Sequence, residues 1–330
     1  MYEQAYHPGT IDKTNFLVTG GAGFIGSHIV EYLMKHGAAK VRVLDNLATG
    51  FKKNIESYFG NPHFEFIEGD ICNTETCATA CSGIDYVIHQ AALGSIPRSV
   101  KDPAATNATN VNGQLNILVA ARDAGVKRVV YASSSSVYGD SKTLPKTEDK
   151  IGKPLSPYAV TKYVNEMYAT VFGPIYNMQI IGLRYFNIFG PRQNPGGPYA
   201  AAIPLFIDSL LTNKQLFING DGEQTRDFTF VENAVQANIR ALFTTHTEAP
   251  GQVFNIARGG RTSVNELFNI LKELTGSSLE PTYREERAGD IRDSLADVSK
   301  ASALLGYAPA VTIRQGLEIT LDWFKIYYQS

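Results

Sequence analysis

Short apolar runs alternate with stretches of helical period through the first half of the chain. The runs at 15–19, 41–44, 64–67, 86–89, 129–132 and 180–184 are four or five residues long and rich in Val, Ile, Leu, Phe and Tyr, the pattern of strands buried on both faces. Between several of them, residues 25–35, 110–124 and 158–172 carry apolar positions three and four apart, which predicts helices. Strands alternating with helices predict parallel β-α-β units and a doubly wound parallel α/β sheet.

After residue 185 the texture changes. Residues 190–198 form a Gly/Pro-rich stretch, and beyond it the pattern predicts helices near 203–211, 231–242, 264–274 and 313–327, with strands near 216–218 and 253–257. We therefore expect one domain over 1–185, rejoined by parts of 231–258, and a smaller mixed domain over 186–330. No internal repeat or low-complexity segment interrupts this plan.

Composition narrows the functional class. The 330 residues are 44% hydrophobic and 19% charged, with a net charge of −2, so a packed core is expected and no basic field recruits nucleic acid or anionic lipid. No run of 18 apolar residues predicts a membrane span, and residues 1–13 are too polar for a signal peptide, so the expectation is a cytoplasmic protein. Cys72, Cys77 and Cys81 are spaced C-x4-C-x3-C without a nearby His or fourth Cys, which reads as a short packed helix rather than a metal site.

The chemistry starts at Gly20-Gly21-Ala22-Gly23-Phe24-Ile25-Gly26, which follows a strand and opens a helix. Glycines at 20, 23 and 26 permit a tight turn, close approach of a pyrophosphate and close helix–strand packing, while the helix start offers free N–H groups. Asp45 ends the second strand, where an acid hydrogen-bonds an adenosine ribose and repels a 2′-phosphate, favouring NAD over NADP. Asp70, ending the third strand, is a candidate for the adenine amino group. These features predict a Rossmann-like, NAD-binding sheet.

A second group lies downstream. Tyr158 and Lys162 are four residues apart on a helix that Pro157 begins, so they share one face. A phenol is a poor base at neutral pH, and a neighbouring ammonium together with the cationic nicotinamide is expected to lower its pKa. Ser133-Ser134-Ser135-Ser136 ends a strand and supplies hydroxyls near that pair.

The G-x-x-G-x-x-G spacing, the Y-x-x-x-K pair and the strand-end serines resemble the extended short-chain dehydrogenase/reductase family over residues 14 to 325. Within it, 89–95, the serine run, 152–158, 183–187, 219–222, 226–228 and 287–290 are most similar to UDP-N-acetylglucosamine 4-epimerases of surface-polysaccharide pathways. The resemblance implies Ser134, Tyr158 and Lys162 as catalytic residues. It also implies an NAD site lined by Gly20, Gly23, Phe24, Ile25, Gly26, Asp45, Asn46, Asp70, Ile71, Gln90, Ala91, Ala92, Asn110, Tyr158, Lys162 and Tyr185. Asn187, Arg226, Arg287 and Asp290 are implied to hold UDP, the arginines as always-charged forks for a diphosphate. Gly94, Ser95, Ser134, Ser135, Ser136 and Ser294 are implied to line the sugar site.

Two departures within the family refine the expectation. Ser135 and Ser136 stand where dehydratases and decarboxylases carry acids, so nothing there protonates a leaving hydroxyl, which favours epimerisation. Ser294 stands where glucose-specific epimerases carry a bulky tyrosine, and Gly94 where some carry a lysine; small residues leave room for a 2-acetamido group, and Ser135 can hydrogen-bond its amide. The expected reaction is interconversion of UDP-GlcNAc and UDP-GalNAc through a 4-keto sugar with NAD retained. UDP-glucose/UDP-galactose and UDP-uronate 4-epimerases, and a non-catalytic dinucleotide sensor, are the alternatives. The helices at 110–124 and 158–172 resemble the pair through which family members dimerise, so a homodimer is expected.

Overall fold

A computed structural model describes residues 1–196, 201–286 and 292–328. Its strands are β1 (Asn15–Thr19), β2 (Lys40–Asp45), β3 (Phe64–Glu68), β4 (Tyr86–His89), β5 (Arg128–Ser134), β6 (Gln179–Tyr185), β7 (Ile188–Phe189), β8 (Phe217–Asn219), β9 (Thr225–Arg226), β10 (Thr229–Phe230), β11 (Val253–Ile256), β12 (Thr262–Ser263) and β13 (Thr282–Arg284). Its α-helices are α1 (Phe24–Lys35), α2 (Thr74–Cys81), α3 (Ile96–Lys101), α4 (Pro103–Asn107), α5 (Gly113–Asp123), α6 (Pro157–Tyr176), α7 (Ala202–Thr212), α8 (Val231–Phe243), α9 (Val264–Thr275), α10 (Ser299–Leu305) and α11 (Ile313–Tyr327).

Seven strands pair in the order β11-β6-β5-β4-β1-β2-β3, all parallel. Such a sheet needs apolar side chains on both faces, and Phe16, Leu17, Val18, Val87, Ile88, Val129 and Val130 supply them, each buried. Chain order reverses between β1 and β4, and a crevice opens beyond the carboxyl ends of these two strands. One face is covered by α1 and α8, whose core includes Ile29, Val30, Val235 and Ile239; the other by α2, α5 and α6, with Ile117, Leu118, Ala169 and Phe172. Cys77 and Cys81 lie buried on α2, and Cys72 is exposed.

The strand β11 comes from the C-terminal part of the chain and extends the sheet beyond β6. Around the crevice, α7, α9 and α11 gather a separate core of Phe206, Ile207, Leu267, Leu271, Leu317 and Phe324. Among the described residues, no helix is long and apolar enough to cross a membrane.

The helix expected from 110 starts earlier than its periodicity indicates. α4 runs into a π-helical turn at Ala108–Asn112 before α5, and Pro103 with the Asp102 cap opens the whole segment. The inserted residue of the π turn shifts the register, which erases the simple three-and-four spacing.

Candidate functional site

The turn after β1 is built around three glycines, and Gly20 and Gly26 leave no room for a side chain. Gly20 has φ +67°, and a Cβ there would lie 2.7 Å from the Ala91 amide nitrogen; on Gly26 it would lie 2.1 Å from the Gly20 carbonyl oxygen. The helix that follows is capped by Gly23 with no side-chain acceptor. The first-turn amides of α1 therefore keep no intrahelical partner and face the crevice, a donor set suited to phosphate oxygens.

Asp45 lies at the end of β2 and braces this turn. Its carboxylate accepts from the Ala22 amide at 2.9 Å and the Leu47 amide at 2.8 Å. Burial raises its pKa and these amide hydrogen bonds oppose the rise. A cavity of about 520 Å³ runs from here, past Asn46, Ile71, Gln90, Ala91, Ala92 and Gly94, to Ser134, Tyr158, Lys162 and Tyr185. Gly20, Gly23, Phe24, Ile25 and Gly26 form its floor.

Two expected cofactor residues are not on that wall. Asp70 instead accepts from Asn46 Nδ2 at 2.8 Å and from the Cys72 amide at 2.7 Å, so it positions the loop while its neighbours Gly69 and Ile71 line the cavity. Asn110 is 1% exposed; its Oδ1 accepts from the Leu93 amide at 2.8 Å and its Nδ2 donates to Thr161 at 3.1 Å. Sitting in the π turn, it ties the loop after β4 to the helix bearing Tyr158.

That helix, α6, is capped by the Ser156 hydroxyl accepting from Ala159 N at 3.1 Å, with Pro157 at its start. Its first turn presents Tyr158 and its second Lys162, both into the cavity beside Ser134. The Lys162 ammonium donates to the Ala132 carbonyl at 2.8 Å and lies 6.0 Å from the centre of the Tyr158 ring. Burial pushes its pKa down to about 8, against an upward pull from Glu166.

The expected lowering of the Tyr158 pKa is absent from the protein alone. Burial raises it, and hydrogen bonding with Ser134 is the force opposing that rise. The ammonium is directed at the Ala132 carbonyl, and in the protein alone Ser134 rather than Lys162 is the group that opposes the rise.

Beneath this group lies a network that the sequence reading did not single out. Glu166, one turn after Lys162, accepts from Arg184 Nε and a terminal guanidinium nitrogen, both at 2.8 Å, and from the Ser133 hydroxyl at 2.5 Å. Both ionic partners are buried. Arg184 also lies 4.9 Å from the Tyr138 ring centre, and the Tyr138 hydroxyl donates to Asn255 at 2.6 Å. One bidentate pair thus fixes α6 against the ends of β5 and β6, setting where Tyr158 sits relative to Ser134. Spacing held a signal: Tyr158, Lys162 and Glu166 are each four apart on one helix face.

At the far end, the Tyr185 hydroxyl donates to Gln90 Oε1 at 3.2 Å and accepts from Asn238 Nδ2 at 2.7 Å. Asn238 comes from α8, distant in sequence, which is why pattern reading passed over it. Asn187 borders all three principal cavities, and Arg226 borders two, one of about 500 Å³ toward Phe217 and Arg284 and one of about 360 Å³ toward the serines. Ser134, Ser135, Ser136, Tyr158 and Ser294 line that smaller cavity. Ser95 does not; its hydroxyl caps α3 by accepting from Arg98 N at 3.2 Å. Arg287 and Asp290 lie outside the described residues.

The model of the NAD dependent epimerase/dehydratase family matches residues 16–257. The chain belongs to this family. It is 40% identical over 311 residues to a putative UDP-glucose 4-epimerase of Methanocaldococcus jannaschii, covering 94% of this chain and 98% of that one. The UDP-glucose 4-epimerase of Thermotoga maritima, solved with UDP-glucose, superposes with a TM-score of 0.89 at 38% identity, over 96% of this chain and 100% of the other. The UDP-N-acetylglucosamine 4-epimerase of Methanobrevibacter ruminantium, solved with UDP-N-acetylmuramic acid, gives 0.90 at 37% identity, over 95% and 99%. The crevice fits the family's cofactor: a side-chain-free turn, unpaired first-turn amides and a carboxylate at the end of β2 suit the pyrophosphate and ribose of NAD.

Proposed function

We propose that the protein is a UDP-sugar 4-epimerase whose neutral substrates are UDP-GlcNAc and UDP-GalNAc, interconverted through a transient 4-keto sugar. The carrying observation is that Tyr158 and Ser134 border both the 520 Å³ crevice and the 360 Å³ cavity, so one phenol faces a cofactor channel and a sugar-sized space. The names of the relatives support the reaction class.

NAD, when bound, supplies the hydride acceptor and donor for the sugar's C4. The remaining work falls to side chains of this chain. Tyr158 takes the proton of the 4-hydroxyl and later returns it, with the Ser134 hydroxyl sharing the hydrogen bond. Lys162, charged below about pH 8, supplies the positive potential that favours transient phenolate. Asn187 and Arg226, with Arg287 and Asp290, hold UDP while the sugar turns, so binding energy from the unreactive end positions the reacting one. Ser135 and Ser136 provide no acid, which suits a reaction in which no hydroxyl departs.

Preference for an acetamido sugar rests on Ser135, Ser136 and Ser294 as small walls of the cavity. Ser294→Tyr is expected to overpack this space by about 1–3 kcal/mol for the acetylated sugar and by less for UDP-glucose. Steady-state KM values for both sugars check it; an equal loss for the two would refute the pocket reading.

We also propose a homodimer. Val160, Met167, Val171 and Ile175 leave an apolar stripe exposed along α6, next to α5. Light scattering at working concentration should give twice the chain mass, and a monomer would contradict the proposal.

A further inference from the structure

The loop after β7 is fixed from behind, by side chains that line neither the crevice nor the cavity of about 500 Å³. Gln193 lines that cavity beside Asn187 and Arg226, and its Oε1 is buried without a hydrogen-bond partner among the described residues. Two residues earlier, the Pro191 carbonyl accepts from His28 Nε2 at 2.9 Å. Between them Arg192 holds a left-handed φ of +65°, and its guanidinium bonds Glu31 and, at 3.4 Å, the Ser27 hydroxyl. That conformation is unfavourable for an arginine, so the α1 side chains Ser27, His28 and Glu31 are what holds the loop in place.

His28 is 1% exposed, and its ring centre lies 6.0 Å from that of Phe24, which lines the cofactor crevice. Burial pushes its pKa down to about 3, so the ring is neutral and carries a single N–H. A carbonyl can only accept, which places that hydrogen on Nε2 and leaves Nδ1 as an acceptor. The Tyr2 hydroxyl meets Nδ1 at 2.9 Å and therefore donates to it. One line of hydrogen bonds thus runs from Tyr2 through His28 to Pro191. Its far end is held as well. The Tyr2 side chain is fully buried, its amide donates to Glu232 on α8 at 3.2 Å, and its carbonyl accepts from His36 Nε2 at 3.1 Å. Tyr6 and Ile11 pack the rest of this segment into the core that α1 and α8 share.

We propose that His28, set by Tyr2, is a positioning residue for nucleotide binding, so that the segment before β1 governs the affinity for UDP. This inference rests on the UDP-sugar reading above. His28 lines neither cavity and acts only through the loop, where one residue separates Pro191 from Gln193. Releasing the Pro191 carbonyl displaces Gln193, whose buried Oε1 is the acceptor left for the ligand. Ser134, Tyr158 and Lys162 do not border the cavity that Gln193 lines, so the acid–base geometry does not depend on this tie. The consequence is selective: a weaker hold on the unreactive end with unchanged chemistry, the pattern of lost uniform binding.

The test measures UDP binding by isothermal titration, and UDP-GlcNAc turnover by initial rates, on the NAD-loaded full-length protein. His28→Leu removes both ring nitrogens at similar volume. It should raise the UDP Kd and the sugar KM together by about tenfold, the scale of one buried carbonyl left unpartnered, with kcat within about twofold. Tyr2→Phe keeps the ring and loses only the hydroxyl, and should weaken UDP binding by about threefold. His28→Gln, whose amide nitrogen reaches the place of Nε2, should recover most of the affinity lost in His28→Leu. Stability falls on either account and does not decide. Destabilised variants that keep the wild-type UDP Kd make the tie a structural strut and overturn the proposal, as does a fall in kcat at unchanged Kd. Should His28→Leu not fold, Tyr2→Phe decides alone by the same constants. UDP binding is read even if no sugar is epimerised, whereas a wild type that binds no UDP refutes the UDP-sugar reading, and this inference with it.

Discussion

Tyr158→Phe is expected to lower kcat by a factor of about 10²–10⁴, the usual contribution of a positioned acid–base group. The ring remains, so packing against Lys162 and the shape of the cavity persist, and only the proton carrier is lost. Binding of UDP-sugar should change little, because Asn187 and Arg226 also border the cavity of about 500 Å³ that Tyr158 does not reach. Initial rates and isothermal titration on the same preparation separate the two effects. Turnover within threefold of wild type, against an expectation on the order of 10² or more, would remove Tyr158 from its role.

Glu166→Ala is expected to destabilise the fold by about 3–5 kcal/mol, since it leaves the buried Arg184 guanidinium without its bidentate partner. Urea unfolding followed by circular dichroism measures this. The milder Glu166→Gln keeps the shape and removes the charge, and it carries a second signature. Glu166 raises the Lys162 pKa, so its neutralisation lowers that pKa further below about 8. The ammonium is lost as pH rises through that value, so the alkaline fall of kcat/KM should begin at lower pH in Glu166→Gln. A stability loss with an unmoved alkaline limb would make Glu166 purely structural.

Much of the sheet was readable because its strands are buried on both faces and therefore nearly continuous in apolar residues. Phe16, Leu17 and Val18 announce β1, and Gly20, Gly23 and Gly26 announce the turn, because the backbone at Gly20 and Gly26 excludes a side chain. Tyr158 and Lys162 were visible as a helical pair. What escaped was whatever depends on tertiary contact. Asn238 meets Tyr185 only because α8 packs back on the sheet. Asn110, Asp70 and Ser95 are expected near the ligand by position, and spacing alone does not show that their polar atoms also bond the loop after β4, the turn after β3 and the cap of α3. In the protein alone Tyr158 shows no lowered pKa, and spacing in sequence says nothing of the carbonyl at Ala132 that captures the ammonium.

Proton NMR of UDP-GlcNAc incubated with the purified protein and catalytic NAD, with UDP-glucose in parallel, gives the decisive reading. The account predicts the anomeric signal of UDP-GalNAc, appearing faster than any signal of UDP-galactose. No conversion of either sugar by NAD-loaded protein would contradict it.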